Sequence, residues 1–380
     1  MKIAIVGDVM VGGVLSSNVK KYKKIALSNE VHKFLEADIV FCNLECVLAR
    51  AEAPPPQKNK ILLYAKEESV ELLKNMGVNA VSLANNHIMD FGYSSLLKTM
   101  NLLKENNIRY TGAGKNLCEA RKPIFFNEDN LRVAILAYAA PETWGGWSQR
   151  EHQTHRNWIA GVDKAGVAPF DLKLIEEDID RANKESDFLV VSVHWGDEYT
   201  YFPHPEIISD AHKVIDMGAN LVVGSHPHVL QGYEEYHNGL IMYSLSNFLF
   251  PPYYDESDGE LRKWSHRSRE SVILKGEIFK NRNLSYNLIP VIQKKDEPVV
   301  ISPSHKTANK ILLKMESLSK EYKKANYHIL YSKLKEKENR FKHIKLILEM
   351  YETYGLAYTF KKARGKLFKL LKNPYRRLGD

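Results

Sequence analysis

Five apolar runs in this chain end at residues that bind metals or move protons. They are Ile3-Ala-Ile-Val-Gly-Asp8, Ile39-Val-Phe-Cys-Asn43-Leu-Glu45, Ala80-Val-Ser-Leu-Ala-Asn85-Asn86-His87, Phe188-Leu-Val-Val-Ser-Val-His194 and Val222-Val-Gly-Ser-His226-Pro-His228. A buried strand that stops at a carboxylate or an imidazole delivers that group to the rim of a sheet. Five such deliveries point to a metal site at the carboxyl ends of a set of strands.

The runs alternate with helical patterns. Spacing predicts helices over 67–76, 93–106 and 170–184, and further strands over 133–139, 240–245 and 272–279. Ser94, Ser95 and Asp171 are N-cap candidates. Runs that are apolar throughout suit strands covered on both faces, so the expected class is α/β, with a layered or sandwiched sheet and helices outside. Residues 49–60, with Pro54-Pro55-Pro56, and residues 140–168, with Trp144, Trp147, Trp158, His152 and His155, read as loops. The longer one has the length of a lid or binding loop. Arg150, His155 and Arg156 either bind an anionic substrate or are ordinary surface charge. The tryptophans either stack on a sugar ring or pin the loop down.

Charge is unevenly placed. The net charge of +8 hides a basic tail: from residue 301 there are 20 Lys and Arg against 7 Asp and Glu, while the rest has 34 against 39. A nucleic-acid groove around the motifs is therefore not expected. Three cysteines make no disulfide framework and fit a reducing compartment. No basic segment followed by an apolar one opens the chain, and no stretch reaches the roughly 20 apolar residues of a spanning helix. The expected location is the cytoplasm, peripheral at the inner membrane face if the tail holds it there. From about 304 the pattern is helical. Over 356–372 leucines and Phe360 recur at spacings of three and four, with lysines and arginines on the other faces. That stretch either lies on an anionic membrane or polymer, or docks its leucine stripe on the body. The organisation read from this is a domain over 1–300 and a basic helical extension over 301–380.

Of the candidate ligands, Gly224-Ser-His226-Pro-His228 is the most specific, because two histidines flanking a proline after a buried strand have few structural uses. Asp8 after Gly7 also reads as a turn residue, and His194 also reads as a satisfied core histidine. Asn43 and Glu45 share one side of a persisting strand, and Asn85-Asn86-His87 need polar partners if buried. Together they offer carboxylate and amide oxygens and imidazoles without thiolates, a set suited to one or two Mn, Fe, Zn or Co ions. A pair of such ions lowers the pKa of a water and neutralises charge at a tetrahedral centre.

Gly7-Asp8, Asn43-Leu-Glu45, Asn86-His87, His194 and Gly224-Ser-His226-Pro-His228 follow the order of motifs in the calcineurin-like metallophosphoesterase superfamily. Asn43-Leu-Glu45, Asn85-Asn86-His87-Ile-Met-Asp90-Phe-Gly92, His194-Trp-Gly196 and Tyr243-Ser-Leu-Ser-Asn247-Phe resemble one branch, the CapA family of bacterial capsule or poly-γ-glutamate synthesis proteins. The resemblance covers about residues 1–300. It implies a β-sandwich flanked by helices. It also implies Asp8 on a first metal, Glu45 bridging, Asn86, His194 and His226 on a second, and His228 returning to the first. His87 would be the general acid, with Asp90 orienting it or touching substrate; a helix cap is the plain alternative for Asp90. Asn43 is a further ligand candidate, and Ser246 and Asn247 either line the pocket or make a turn. Where the superfamily places a histidine two residues after its first aspartate, this chain has Met10, which implies a weaker first site.

Three functions remain open at this level. The first is a metal-dependent hydrolase of phosphoesters in capsule or surface-polymer synthesis, acting on an anionic polymer or a phosphorylated substrate. The second is a hydrolase of γ-glutamyl amides at the same site. The third is a non-catalytic assembly or export factor.

Overall fold

Along the first strand the side chains alternate between two cores. Ile3 and Ile5 face one, Ala4 and Val6 the other. The next strand repeats this, with Ile39 and Phe41 set against Val40 and Cys42. Such two-sided burial is what runs that are apolar throughout demand. The computed structural model describes residues 1–49, 61–144, 158–255, 259–336 and 351. The loop bearing Pro54–Pro56, the loop positions Trp147, Arg150, His152, His155 and Arg156, and the 356–372 stretch lie outside the described residues.

The strands β1 (Lys2–Val9), β2 (Ile39–Leu44), β3 (Ala80–Ser82) and β4 (Arg109–Thr111) are parallel neighbours in that order. The second sheet contains β5 (Ile124–Glu128), β6 (Leu131–Ala139), β7 (Phe188–His194), β8 (Leu221–Ser225), β9 (Tyr233–Tyr236) and β10 (Gly239–Met242), in the order β9-β10-β8-β7-β6-β5. Its four central strands are parallel. The chain then returns to the first sheet. There β11 (Asn247–Leu249) runs parallel to β1. β12 (Glu270–Ile278), β13 (Leu284–Gln293) and β14 (Val300–Ile301) extend the other side of β1 as an antiparallel ribbon.

The two sheets face each other across one core. Ile3, Ile5, Phe41, Val272 and Leu274 of the first meet Val133, Ile135, Phe188, Val190, Leu221 and Val223 of the second. Each such fully buried side chain contributes about 1.5–3 kcal/mol. Helices cover the outer faces. α1 (Gly92–Glu105) buries Leu96, Met100 and Leu103 on the first sheet. α2 (Leu172–Asn183) and α3 (Pro205–Asp216) bury Ile175, Ile179, Ile207 and Val214 on the second. The result is the α/β sandwich flanked by helices that the sequence predicts. The described part of the C-terminal extension joins two cores: α4 (His305–Tyr322) places Ile311 and Met315 in the one between the sheets, and Tyr322, Tyr327 and Tyr331 enter the one outside the second sheet.

Two local expectations change. Asp171 does cap α2, accepting from the Lys173 and Leu174 amides at 3.0 and 3.2 Å. Ser94 and Ser95, however, lie inside the first turn of α1, which starts at Gly92 with Phe91 at the cap position. The chain turns back through the bond from Gly92 N–H to Met89 O (3.0 Å), and Gly92 at φ +76° enters the helix directly. The strand expected over 240–245 ends at Met242 because residues 243–246 cross between the sheets. That crossing passes so close to β1 and β8 that a Cβ on Gly7 would lie 1.9 Å from Ser246 O, and one on Gly224 1.9 Å from Tyr243 O. Both glycines are therefore required by the backbone that joins the two sheets at their carboxyl edges.

Candidate functional site

All the parallel strands point the same way, so their carboxyl ends form a single edge. Register does the rest. Asp8 pairs with Asn43 and with Asn247, Asn43 with Ser82, and Ser225 with His194. The structure thus brings Asp8, Asn43, Glu45, Asn86, His87, Asp90, His194, His226 and His228 into one buried cluster, all under 10% exposed. The His226-Pro-His228 turn is strained: His226 has φ +95° and His228 φ +53°, conformations uncommon for residues other than glycine.

Three sets of ligand atoms lie close enough to share an ion: Glu45 with His194 and His226; Asp8 with Glu45 and His228; and Glu198 with His226 and His228. Glu45 belongs to two of them. His194 Nε2 is 2.9 Å from Asn86 Oδ1 and 3.1 Å from His226 Nδ1. Its other nitrogen, Nδ1, is held by Ser225 Oγ at 2.9 Å and by Asn43 Nδ2 at 3.3 Å. His228 Nδ1 meets Asn247 Oδ1 at 2.8 Å, and its Nε2 faces Glu45 Oε1 at 3.5 Å. Outer hydrogen bonds of this kind fix ring orientation and tautomer in ligating histidines.

Asn43 acts differently from an oxygen ligand. Its Nδ2 donates to Asp8 Oδ1 (2.9 Å) and to Glu45 Oε2 (3.2 Å), and its Oδ1 accepts from Asn85 Nδ2 at 3.1 Å. Asn43 therefore braces the two carboxylates, and Asn85 braces Asn43. Asp90 Oδ2 accepts the Leu63 amide at 2.8 Å and lies 2.7 Å from His87 Nδ1. That oxygen is an acceptor, so Nδ1 of His87 is the donor and Nε2 is turned toward the cluster, 3.9 Å from Glu45 Oε1.

Electrostatics favour a cation. Burial pushes the Glu45 carboxyl well above the usual carboxylate range, with the Asp8 charge adding to it, and burial likewise raises Asp8. Burial holds the imidazoles of His194 and His226 well below their ordinary value and lowers His228 as well. These histidines are neutral lone-pair donors at pH 7, so the 3.5 Å approach of His228 Nδ1 to Asp8 Oδ2 is not a salt bridge. Glu45 Oε1 is buried and accepts no hydrogen bond among the described residues. An orphaned carboxylate oxygen facing imidazole nitrogens is an arrangement that a divalent cation would satisfy. The donor set of carboxylate, amide oxygen and imidazole fits Mn, Fe, Zn or Co.

Met10, by contrast, is absorbed into the core beside the first sheet. It is 1% exposed, and its sulfur accepts the Gly12 amide at 3.0 Å. Glu198 was not singled out from the sequence; the signal for it was an acidic pair, Asp197-Glu198, four residues beyond a strand-ending histidine. Tyr199 and Trp264 also flank His228, with ring centroids 6.0 and 5.1 Å away.

Known proteins are similar to this chain in sequence. The capsule biosynthesis protein CapA of Bacillus anthracis is 30% identical over 294 residues, covering 77% of this chain and 67% of that protein. The PGA biosynthesis protein CapA of Bacillus subtilis (strain 168) is 28% identical over 293 residues, covering 77% and 71%. Among solved structures, the NAD nucleotidase NadN of Haemophilus influenzae aligns at 13% identity with a TM-score of 0.41, over 90% of this chain and 60% of that one. Residues 2–252, which hold every strand end that builds the cluster, match the family described as bacterial capsule synthesis protein PGA_cap, and the chain belongs to that family.

Proposed function

We propose that this protein is a metal-dependent hydrolase of phosphoesters that acts in the synthesis of a bacterial capsule or other surface polymer. The observation that carries the reading is Glu45: it is shared by two ligand sets and has one buried oxygen that accepts no hydrogen bond among the described residues. Asp8, Glu45 and His228 would hold one ion, and Glu45, Asn86, His194 and His226 a second. A divalent ion in such a set polarises a phosphoryl oxygen and lowers the pKa of a water. The chain's own residues supply the remainder. Asn43 fixes the two carboxylates, Asn247 and Ser225 fix the histidine rings, and Asp90 holds the His87 Nδ1 proton so that Nε2 carries the proton delivered to the leaving oxygen. Burial excludes competing water and strengthens each of these contacts.

The relatives' names carry the biological setting: a capsule or polyglutamate chain, or a phosphorylated precursor, is the class of substrate. The same site chemistry at a carbonyl would serve a γ-glutamyl amide. The basic stretch over 356–372 fits an anionic membrane or polymer surface. No helix among the described residues is long and apolar enough to cross a membrane. Met10 supports a second reading, that of a non-catalytic assembly factor with a reduced first site, because its side chain is committed to the core.

The test is turnover of a generic aryl phosphodiester by chelator-stripped protein reloaded with manganese or zinc. Metal-dependent turnover that is lost in His87→Ala and His226→Ala supports the hydrolase. Full metal loading with no turnover of phosphodiester, phosphomonoester or γ-glutamyl amide would leave the assembly factor.

A further inference from the structure

The loop that follows His194 brings a carboxylate over the cluster from outside. Glu198 offers an oxygen within 4.8 Å of the ligand nitrogens of His226 and His228. It lies at the exposed mouth of the site, and its charge is felt by His87 and by Glu45 inside the cluster. Yet the chain holds it there at some strain. Tyr199, the next residue, has φ +62°, an uncommon conformation for an aromatic side chain. Its amide donates to Pro227 O at 2.7 Å, and its carbonyl accepts from Arg267 Nη1 at 3.0 Å. The first bond ties the loop to the His226-Pro227-His228 turn itself.

The rest of the loop is tied from the far side by the C-terminal extension. Tyr322 Oη donates to Tyr201 O at 2.6 Å, Tyr327 Oη to Pro203 O at 2.7 Å, and Lys335 Nζ to Asp197 Oδ2 at 3.1 Å. Gln231 Nε2 adds a bond to Thr200 O at 2.9 Å. A carboxylate within reach of two imidazole nitrogens, a strained backbone beside it and anchors on both sides of it are the marks of a placed side chain.

We propose that Glu198 is a further ligand of the metal on the His228 side, and that residues 322–335 hold it in position. The inference rests on the metal-centre reading given above. It assigns a role in the site to a segment that begins about 70 residues beyond the matched family region.

The test is calorimetric titration of manganese into the chelator-stripped full chain, with thermal unfolding of the stripped forms as the fold control. Glu198→Gln should weaken manganese binding at one site by on the order of tenfold or more, while the stripped variant unfolds at the wild-type temperature. Tyr327→Phe, which removes one hydroxyl far from the metal, should weaken the same site by a smaller factor. Wild-type affinity and stoichiometry in Glu198→Gln would overturn the assignment while leaving the metal centre standing. Wild-type affinity in Tyr327→Phe would overturn the positioning role. A wild-type chain that takes up no manganese or zinc would overturn the metal centre itself.

Discussion

Replacing Asn85 with alanine should be among the most damaging single changes near the site, although Asn85 belongs to none of the ligand sets. Its side chain is 1% exposed and makes four hydrogen bonds. Nδ2 donates to Asn43 Oδ1 (3.1 Å) and Leu44 O (2.9 Å), and Oδ1 accepts from the amides of His87 (3.1 Å) and Ile88 (3.0 Å). At a net of about 1 kcal/mol per bond, the loss is about 4 kcal/mol, and it grows if the His87 and Ile88 amides stay dry and unpaired. That is a large part of the roughly 5–15 kcal/mol that holds a typical domain. Urea unfolding of chelator-stripped wild type and Asn85→Ala measures it directly. Asn106→Ala, which removes one partly buried bond to Leu102 O at 2.9 Å, is the control and should lose under about 1 kcal/mol. A loss in Asn85→Ala no larger than the control's would refute the claim that this amide braces the second and third strand ends against each other.

Three other outcomes are expected. His87→Ala should lower phosphodiester turnover by about 10²–10⁴-fold with bound metal unchanged, read by kinetics alongside metal analysis; equal turnover would remove His87 from proton transfer. In the stripped protein, burial keeps His194 neutral when folded, whereas the unfolded chain takes up that proton near pH 6.5. The stability it contributes is therefore complete above that pH and lost as pH falls below it. Asp8 and Glu45, raised by burial, act with the opposite sign, but their effect largely cancels when two variants are compared. His194→Gln should thus gain on wild type by up to about 1.4 kcal/mol per pH unit below 6.5 in urea midpoints taken at several pH values, and a constant gap would contradict it. Gly224→Ala should cost at least about 3 kcal/mol or abolish soluble expression, since its Cβ would meet Tyr243 O at 1.9 Å and Trp195 Nε1 at 2.4 Å; a normal melting temperature would show that the crossing can shift.

What could be read from the sequence, and what could not, follows from the range of the forces involved. Strand position is a local property: Phe188 to Val193 is apolar but for Ser192 because both faces of its strand are covered, and the run ends at His194 because the sheet ends there. Any residue that closes such a run is delivered to the rim, which is why Asp8, Glu45, Asn86, His194 and His226 converge as their spacing suggests. The braces obey a different rule. Asn43 reads as a ligand from its spacing to Glu45, but its amide nitrogen faces Asp8 and Glu45, and that arrangement depends on the parallel pairing of the first two strands. Asn247 reaches His228 because residues 243–246 change sheets, a crossing that Gly7 and Gly224 allow but do not announce. Glu198 is more distant still. Its place depends on a left-handed Tyr199 and on hydroxyls of Tyr322 and Tyr327, more than 120 residues further along the chain. Those contacts also bear on how the chain divides. An extension that reads as a separate basic helix when judged by charge is joined to the loop after His194 through uncharged tyrosine hydroxyls, so removing its first 30 or so residues takes away the anchors at Tyr201, Pro203 and Asp197 of the loop that carries Glu198.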